Sequence, residues 1–375
     1  MNEKIKAAMR EAAKLTQTGQ VQAATEKLQR TLRGSFQQQS SGADKVRVAV
    51  EKLAHALPEA ARQKASQGAR SFGDFTPDLQ GFQTQPRAAS PAALGQGQFL
   101  TDTYTNSAGT RPYKLYIPKG VKEDQPLPLV VMLHGCTQNP DDFAAGTQMN
   151  LRADEEPCLV LYPAQTKGAN ANGCWNWFQE SDQRCDAGEP SIIAGMTREV
   201  MRRYSVHPKC VYVAGLSAGG AMAAIMGEAY PELFAAVCVH SGLPHGAAKD
   251  LPSALMAMQR GCGEGVASTN SVPTIVFHGD RDNTVSPRNG EAVLRGLSAN
   301  RRYKKEVEQG QAEGGRPYTR TRYLDAQGRT RLEGWRVHGA GHAWAGGSSA
   351  GTFTDPKGPD ATRAMLAFFR AASRS

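Results

Sequence analysis

The sequence has no run of about 18 apolar residues, the length a helix needs to cross a bilayer, so no membrane span is expected. Its first residues, MNEKIKAAMREAAKLTQ, are basic enough for a targeting segment but lack an unbroken apolar core. Glu3, Arg10 and Glu11 interrupt it before a signal peptide could form. The expected location is therefore cytoplasmic, with secretion open only to a chain trimmed at its start. A cysteine framework is missing too. The seven cysteines, at 136, 158, 174, 185, 210, 238 and 262, are odd in number and never spaced C-x-x-C, which argues against zinc and against a disulfide scaffold. Most are expected to be reduced thiols; Cys174 and Cys185 flank a polar loop and pair only if the compartment is oxidising. The net charge of +9 raises nucleic acid as a partner. Its clusters (Arg301, Arg302, Lys304, Lys305, then Arg316 to Arg331) nevertheless lack stacking aromatics and recognition motifs, and they read as a soluble basic surface.

What is present is ordinary globular composition, 40% hydrophobic and 21% charged, with a change of texture near residue 99. Residues 3 to 15 and 20 to 33 carry apolar positions at helical spacing (Ile5, Met9, Ala12, Leu15; Val21, Ala24, Leu28, Leu32) on either side of TQTGQ, and VRVAVEKLAHAL reads as a third short helix. Residues 1–56 are thus expected as a helical N-terminal region. Residues 57–98, rich in Pro, Gly, Gln, Ser and Ala without a period, read as a flexible linker. From 99 to 375 apolar β-branched runs alternate with helical segments. A hairpin (TDTYTN and RPYKLYIP around SAGT) comes first, then the buried-strand runs LPLVVMLH, PCLVLYP, KCVYVAG, FAAVCVH and PTIVFH, with helices near 142–153, 191–204, 218–230 and 287–299. Strands buried on both faces and separated by helices predict an α/β domain with a mostly parallel sheet and helices on both faces. TRTRYLDAQGRTRLEGWRVH reads as a hairpin adding edge strands, and ATRAMLAFFRAA as a closing helix.

The strand KCVYVAG runs into GLSAGG and then the helix AMAAIMGEAY. Strand, G-x-S-x-G, helix is the context of a nucleophile elbow, in which Ser217 sits in strained backbone on a sharp turn. Gly215 and Gly219 let strand and helix approach. A serine hydroxyl needs a base held by an acid. PTIVFHGDRDNTVSP places Asp280 and Asp282 after a strand. Asp282 is preferred as the acid, since Asp280 can serve the turn through backbone amides. Of the histidines after it, His342 lies in the glycine-rich loop VHGAGHAWAGG and His338 ends a strand, so His342 is the expected base. Two glycines between His338 and His342 make a helical metal pair improbable. LPLVVMLHGCTQNP ends a strand at His134-Gly135 and turns where this arrangement provides one oxyanion amide, Cys136; the other belongs to Ala218. The Cys136 thiol is then a bystander.

Jointly, LHGCTQNP, CWNWF, GEPSIIAGM, GLSAGGAMAA, YPELFAAVCVHSGLPHGAA, HGDRDNTV and GAGHAWAGG resemble the poly(3-hydroxybutyrate) depolymerase family of esterases, related to feruloyl and acetylxylan esterases, over roughly residues 99 to 372. The resemblance implies an α/β-hydrolase fold and serine-dependent carboxylic ester hydrolysis with no cofactor, on hydroxyalkanoate oligomers or short-chain esters. It matches Ser217, Asp282 and His342 to the triad and Cys136 with Ala218 to the oxyanion amides. Trp344, Trp175 and Trp177 are expected to line the substrate side, with His134 counted beside them. Feruloyl or acetylxylan ester hydrolysis is the second enzyme reading. A non-enzymatic alternative makes the chain a granule- or surface-binding protein, with the N-terminal helices as its attachment or dimerisation element.

Overall fold

A computed structural model describes residues 94–122, 125–262, 268 and 272–373. The expected N-terminal helices and most of the expected linker lie outside the described residues. The last linker positions do not. The Leu94 carbonyl accepts from Asn150 Nδ2 (3.0 Å) and the Gly97 N–H donates to the Tyr116 hydroxyl (2.7 Å), so residues 94–98 are fastened to the domain rather than left free.

The apolar runs form the strands they suggest: β1 (Gln98–Asn106), β2 (Gly109–Ile117), β3 (Leu127–Leu133), β4 (Leu159–Pro163), β5 (Val206–Leu216), β6 (Ala236–His240) and β7 (Thr274–Gly279). Three more, β8 (Lys304–Gln311), β9 (Pro317–Leu324) and β10 (Thr330–Val337), complete a ten-stranded sheet ordered β1-β2-β4-β3-β5-β6-β7-β10-β9-β8. The run β4-β3-β5-β6-β7-β10 is parallel; β1, β2, β9 and β8 are antiparallel wings. The expected late hairpin is β9–β10, with one correction: β10 is no edge strand but pairs in parallel with β7. The edge is β8, KKEVEQGQ, whose lysines first read as surface charge alone.

Helices cover both faces. They are α1 (Pro140–Thr147), α2 (Met149–Glu155), α3 (Gly188–Arg203), α4 (Ala218–Ala229), α5 (Leu251–Arg260), α6 (Arg288–Ser298) and α7 (Ala361–Ala372). The single helix expected over 142–153 is two, because Gln148 between them has φ 56°, ψ 22°, a left-handed conformation that ends α1. Side-chain alternation divides the core. Leu129, Val131 and Leu133 of β3 pack with α3 and α4 on one face, and Val130 and Met132 pack with α1 and α7 on the other. Each such fully buried aliphatic contributes about 1.5–3 kcal/mol. The rigid centre of this sheet ends, at its carboxyl edge, in the loops that carry the motif residues.

Candidate active site

Ser217 stands between β5 and α4 with φ 58°, ψ −119°, a combination that costs of order 1–3 kcal/mol in a residue other than glycine. The neighbouring glycines make it geometrically possible. A methyl group at Gly215 would overlap the Gly219 carbonyl, and one at Gly219 would overlap the Leu133 carbonyl of β3. The Ser217 N–H is held by the His240 carbonyl (2.9 Å) and the Ser217 carbonyl accepts from Ala221 N (2.9 Å), so the strained residue is tied at both ends of its peptide. No hydrogen bond joins Ser217 Oγ to His342 among the described residues.

Asp282 and His342 do meet: His342 Nδ1 is 2.7 Å from Asp282 Oδ2. Asp282 Oδ1 accepts from the backbone N–H of Thr284 (2.9 Å) and Val285 (2.8 Å), and His278 Nε2 stands 3.4 Å from Oδ2. Burial alone would raise this carboxyl. The facing His342 and His278 more than offset it and hold Asp282 well below the usual carboxylate range. An ionised Asp282 makes Nδ1 the protonated nitrogen of His342, leaving the Nε2 lone pair free to accept a proton. Asp280 is used differently. Its oxygens take His338 Nδ1 (2.8 Å) and Gly339 N–H (2.7 Å), so two carboxylates two residues apart serve two separate imidazoles.

Beyond β3 the chain turns at Gly135-Cys136-Thr137. Gln138 Oε1 accepts from Gly135 N–H (2.9 Å), and Gln138 Nε2 donates to Asp142 Oδ2 (2.9 Å) and to the Thr352 carbonyl (3.1 Å). The N–H groups of Cys136 and Ala218 donate to no acceptor among the described residues. Cys136 is not a bystander thiol. It forms a disulfide with Cys174, Cα to Cα 4.2 Å, and Cys185 stays free and exposed. The 174–185 pairing that an oxidising compartment would allow does not form, because the Thr137 N–H bonds the Asn172 carbonyl (2.9 Å), which lays the 170–176 segment against the β3 turn.

A family model described as Esterase PHB depolymerase matches residues 111–298. The chain belongs to that family. Ser217 and Asp282 lie inside the matched span and His342 beyond it. Poly(3-hydroxyalkanoate) depolymerase C of Paucimonas lemoignei is 31% identical over 67% of this chain, which spans 63% of the depolymerase's own length. Feruloyl esterase B of Neurospora crassa is 29% identical over 51% of the chain and 70% of the relative. Among solved structures, an acetyl xylan esterase from Aspergillus awamori superposes with a TM-score of 0.59 at 20% identity, over 74% of this chain and all (100%) of the other, and it shares the α/β-hydrolase fold.

The aromatic residues of the family motifs lie deeper than expected. Trp344 is 1% exposed; its ring stacks on His240 (4.8 Å), meets Phe143 edge-on (5.6 Å), and its Nε1 donates to Thr362 Oγ1 (3.0 Å). Glycines flank it, but the Trp344–Ala345 strand pairs with Thr354–Asp355 and turns the ring inward. Trp175, Trp177 and His134 are buried as well, Trp175 against His134 (5.7 Å). All four are at most 5% exposed. His134 is a brace: Nδ1 bonds the Gly135 carbonyl (2.8 Å) and Nε2 accepts the Gln165 N–H (3.1 Å). Sequence reading missed Glu189, whose buried carboxylate gathers Asn176 N–H (2.7 Å), Asn176 Nδ2 (2.8 Å), Gln165 Nε2 and Arg111 (3.2 Å), fixing the loop that carries Cys174. The motif GEPSIIAGM contained the signal, an acid heading an apolar helix.

The disulfide closes a loop with a sequence separation of 38, for which chain entropy gives about 4 kcal/mol at most. Cys174→Ser should therefore lower unfolding free energy by about 2–4 kcal/mol in denaturant titration; an unchanged midpoint would contradict the link. Burial pushes His134 down to about 4, and protonation would also abolish its bond from Gln165 N–H. An unfolded histidine takes up its proton near pH 6.5 and the folded one only near 4. Folding is thus penalised progressively as pH falls through that window and unaffected above it. The melting temperature of the wild type should drop more steeply from pH 7 to 4 than that of His134→Asn, and parallel curves would show His134 to be no part of the pH response.

Proposed function

We propose that this chain is a serine carboxylic-ester hydrolase that takes hydroxyalkanoate oligomers or related short-chain esters. The observation that carries the reading is the conjunction of a strained Ser217 elbow, a buried Asp282 paired with a part-buried His342 and two unengaged amides on neighbouring turns. In this reading Ser217 Oγ attacks the ester carbonyl and gives its proton to His342 Nε2, while Asp282 holds the ring and stabilises the imidazolium. The N–H groups of Cys136 and Ala218 receive the developing oxyanion; being preorganised, they need no rearrangement as charge forms. His342 then protonates the departing alcohol. Water, activated by the same imidazole, releases the acid from the acyl-enzyme.

The polyester substrate is supported by the relative named a poly(3-hydroxyalkanoate) depolymerase, and the second reading, aromatic or acetyl esters of plant polysaccharide, by the feruloyl and acetyl xylan esterases. Both use the same reacting groups. In place of a cytoplasmic location, the Cys136–Cys174 bond favours work in an oxidising compartment, where disulfides persist. No helix among the described residues is long and apolar enough to cross a membrane.

Ser217→Ala and His342→Ala should each lower turnover of a p-nitrophenyl ester by about 10⁴ to 10⁶ without loss of fold, because such groups act as a unit. A phosphonate probe should label Ser217, and retention of a tenth of the activity by Ser217→Ala would sink the assignment. The carboxylates separate similarly. Asp282→Asn should cost about 10⁴ in turnover through the wrong His342 tautomer, whereas Asp280→Asn should act on the stability of the 338–339 turn. Equal kinetic losses would remove the distinction. Comparing p-nitrophenyl acyl esters, hydroxybutyrate oligomers, amorphous polymer and methyl ferulate as substrates separates the two ester classes.

A further inference from the structure

His240, at the end of β6, is fully buried and takes no part in the steps above, yet it touches all three catalytic segments. Its carbonyl accepts the Ser217 N–H (2.9 Å), holding the elbow. Its ring Nε2 accepts the Ala345 N–H (3.0 Å), three residues beyond His342. One face of the ring stacks on Trp344 (4.8 Å, 23°), and the ring also lies nearly parallel to Phe277 (5.5 Å, 12°), the β7 residue five positions before Asp282. Building on the proposed triad, we infer that His240 is a positioning residue that sets the distance and orientation between Ser217 and the His342 imidazole.

The chemistry explains why this position holds histidine. Bridging three segments requires a flat ring that can stack and, at its edge, an acceptor for a buried backbone N–H. Phenylalanine offers the ring without the acceptor; glutamine offers the acceptor without the ring. The neutral imidazole has both in a small ring, and burial keeps it neutral, well below the usual histidine range. Nδ1 is turned to Ser241 Oγ (3.2 Å), which leaves Nε2 as the nitrogen facing Ala345. The loop from Gly339 to Gly347 is anchored before His342 by the Gly339 N–H on Asp280 and after it by the Trp344 and Gly346 N–H groups on the Phe353 and Asp355 carbonyls, and the Ala345 bond ties it in addition to the residue that fixes Ser217, which limits how far the imidazole can drift from that serine. A displacement of about 1 Å of a reacting group costs on the order of 100-fold in rate.

The test compares His240→Phe with His240→Gln, each assayed on a p-nitrophenyl ester well below its own melting temperature. Activity should follow the acceptor: His240→Phe should lose about 100-fold in kcat with little change in KM, and His240→Gln should stay within about tenfold of wild type. Ala345→Pro, which removes the donor and keeps the imidazole, should reproduce the Phe loss and covers the case in which a His240 variant fails to fold. A His240→Phe enzyme with wild-type kcat, or losses that track melting temperature in both His240 variants alike, overturns the inference. Ser217→Ala in the same assay keeps the two readings apart. An inactive Ser217→Ala with an undiminished His240→Phe defeats the positioning role alone, whereas an active Ser217→Ala defeats the triad and the positioning role with it.

Discussion

The backbone at Gly215 and Gly219 passes so close to its neighbours that a single methyl group would collide with a carbonyl of α4 or of β3. That contact forces the sharp exit from β5 and leaves Ser217 at positive φ, with its side chain lifted off the sheet edge. It also brings β3 against the first turn of α4, which is why the Cys136 and Ala218 amides come from segments some eighty residues apart and still sit on adjacent turns. The strain is retained because the surrounding sheet, buried on both faces, overdetermines the turn.

Electrostatics around the site rest on a sorting of like groups. Asp280 and Asp282 leave the same strand end, but one reaches the half-exposed His338 and the other the part-buried His342. The sorting follows from the turn: Thr284 and Val285 fold their N–H groups back onto Asp282, so its second oxygen is committed to the interior. The charge is sustained there because the Thr284 and Val285 N–H groups and His342 Nδ1 all meet its two oxygens, without which desolvation would keep the acid protonated. Glu189 is the contrasting case: burial outweighs the donors arriving from Asn176, Gln165 and Arg111 and raises its carboxyl above the usual range.

Much of this was legible in the chain. Runs such as LPLVVML and PTIVFH declare two-sided burial by composition, and G-x-S-x-G between a strand and a helix defines its turn through the glycines alone. What escaped depends on chain segments distant in sequence. The partner of Cys174 is set by where the 164–187 loop lies, and that is fixed by Glu189 and the Thr137–Asn172 bond rather than by cysteine spacing. Trp344 looked exposed among its glycines, but a two-residue pairing with Thr354 and Asp355 reverses it. β10 passed for an edge strand since a hairpin pattern cannot say whether its second strand also finds a parallel neighbour. His240 lies in the family stretch YPELFAAVCVHSGLPHGAA, but the stretch itself assigns it no part; that is visible only where three segments converge.

The strand that closes the sheet on the β10 side, KKEVEQGQ, opens on two lysines and continues with two glutamates around Val307, the large apolar residue exposed along it. An open strand edge is a template on which another molecule's backbone can continue the ladder. Here such an approach would set ammonium against ammonium and carboxylate against carboxylate in one of the two strand directions, and would strip water from charged side chains in both. Where copies of the chain meet at high concentration, the charged border of β8 works against joining sheet to sheet.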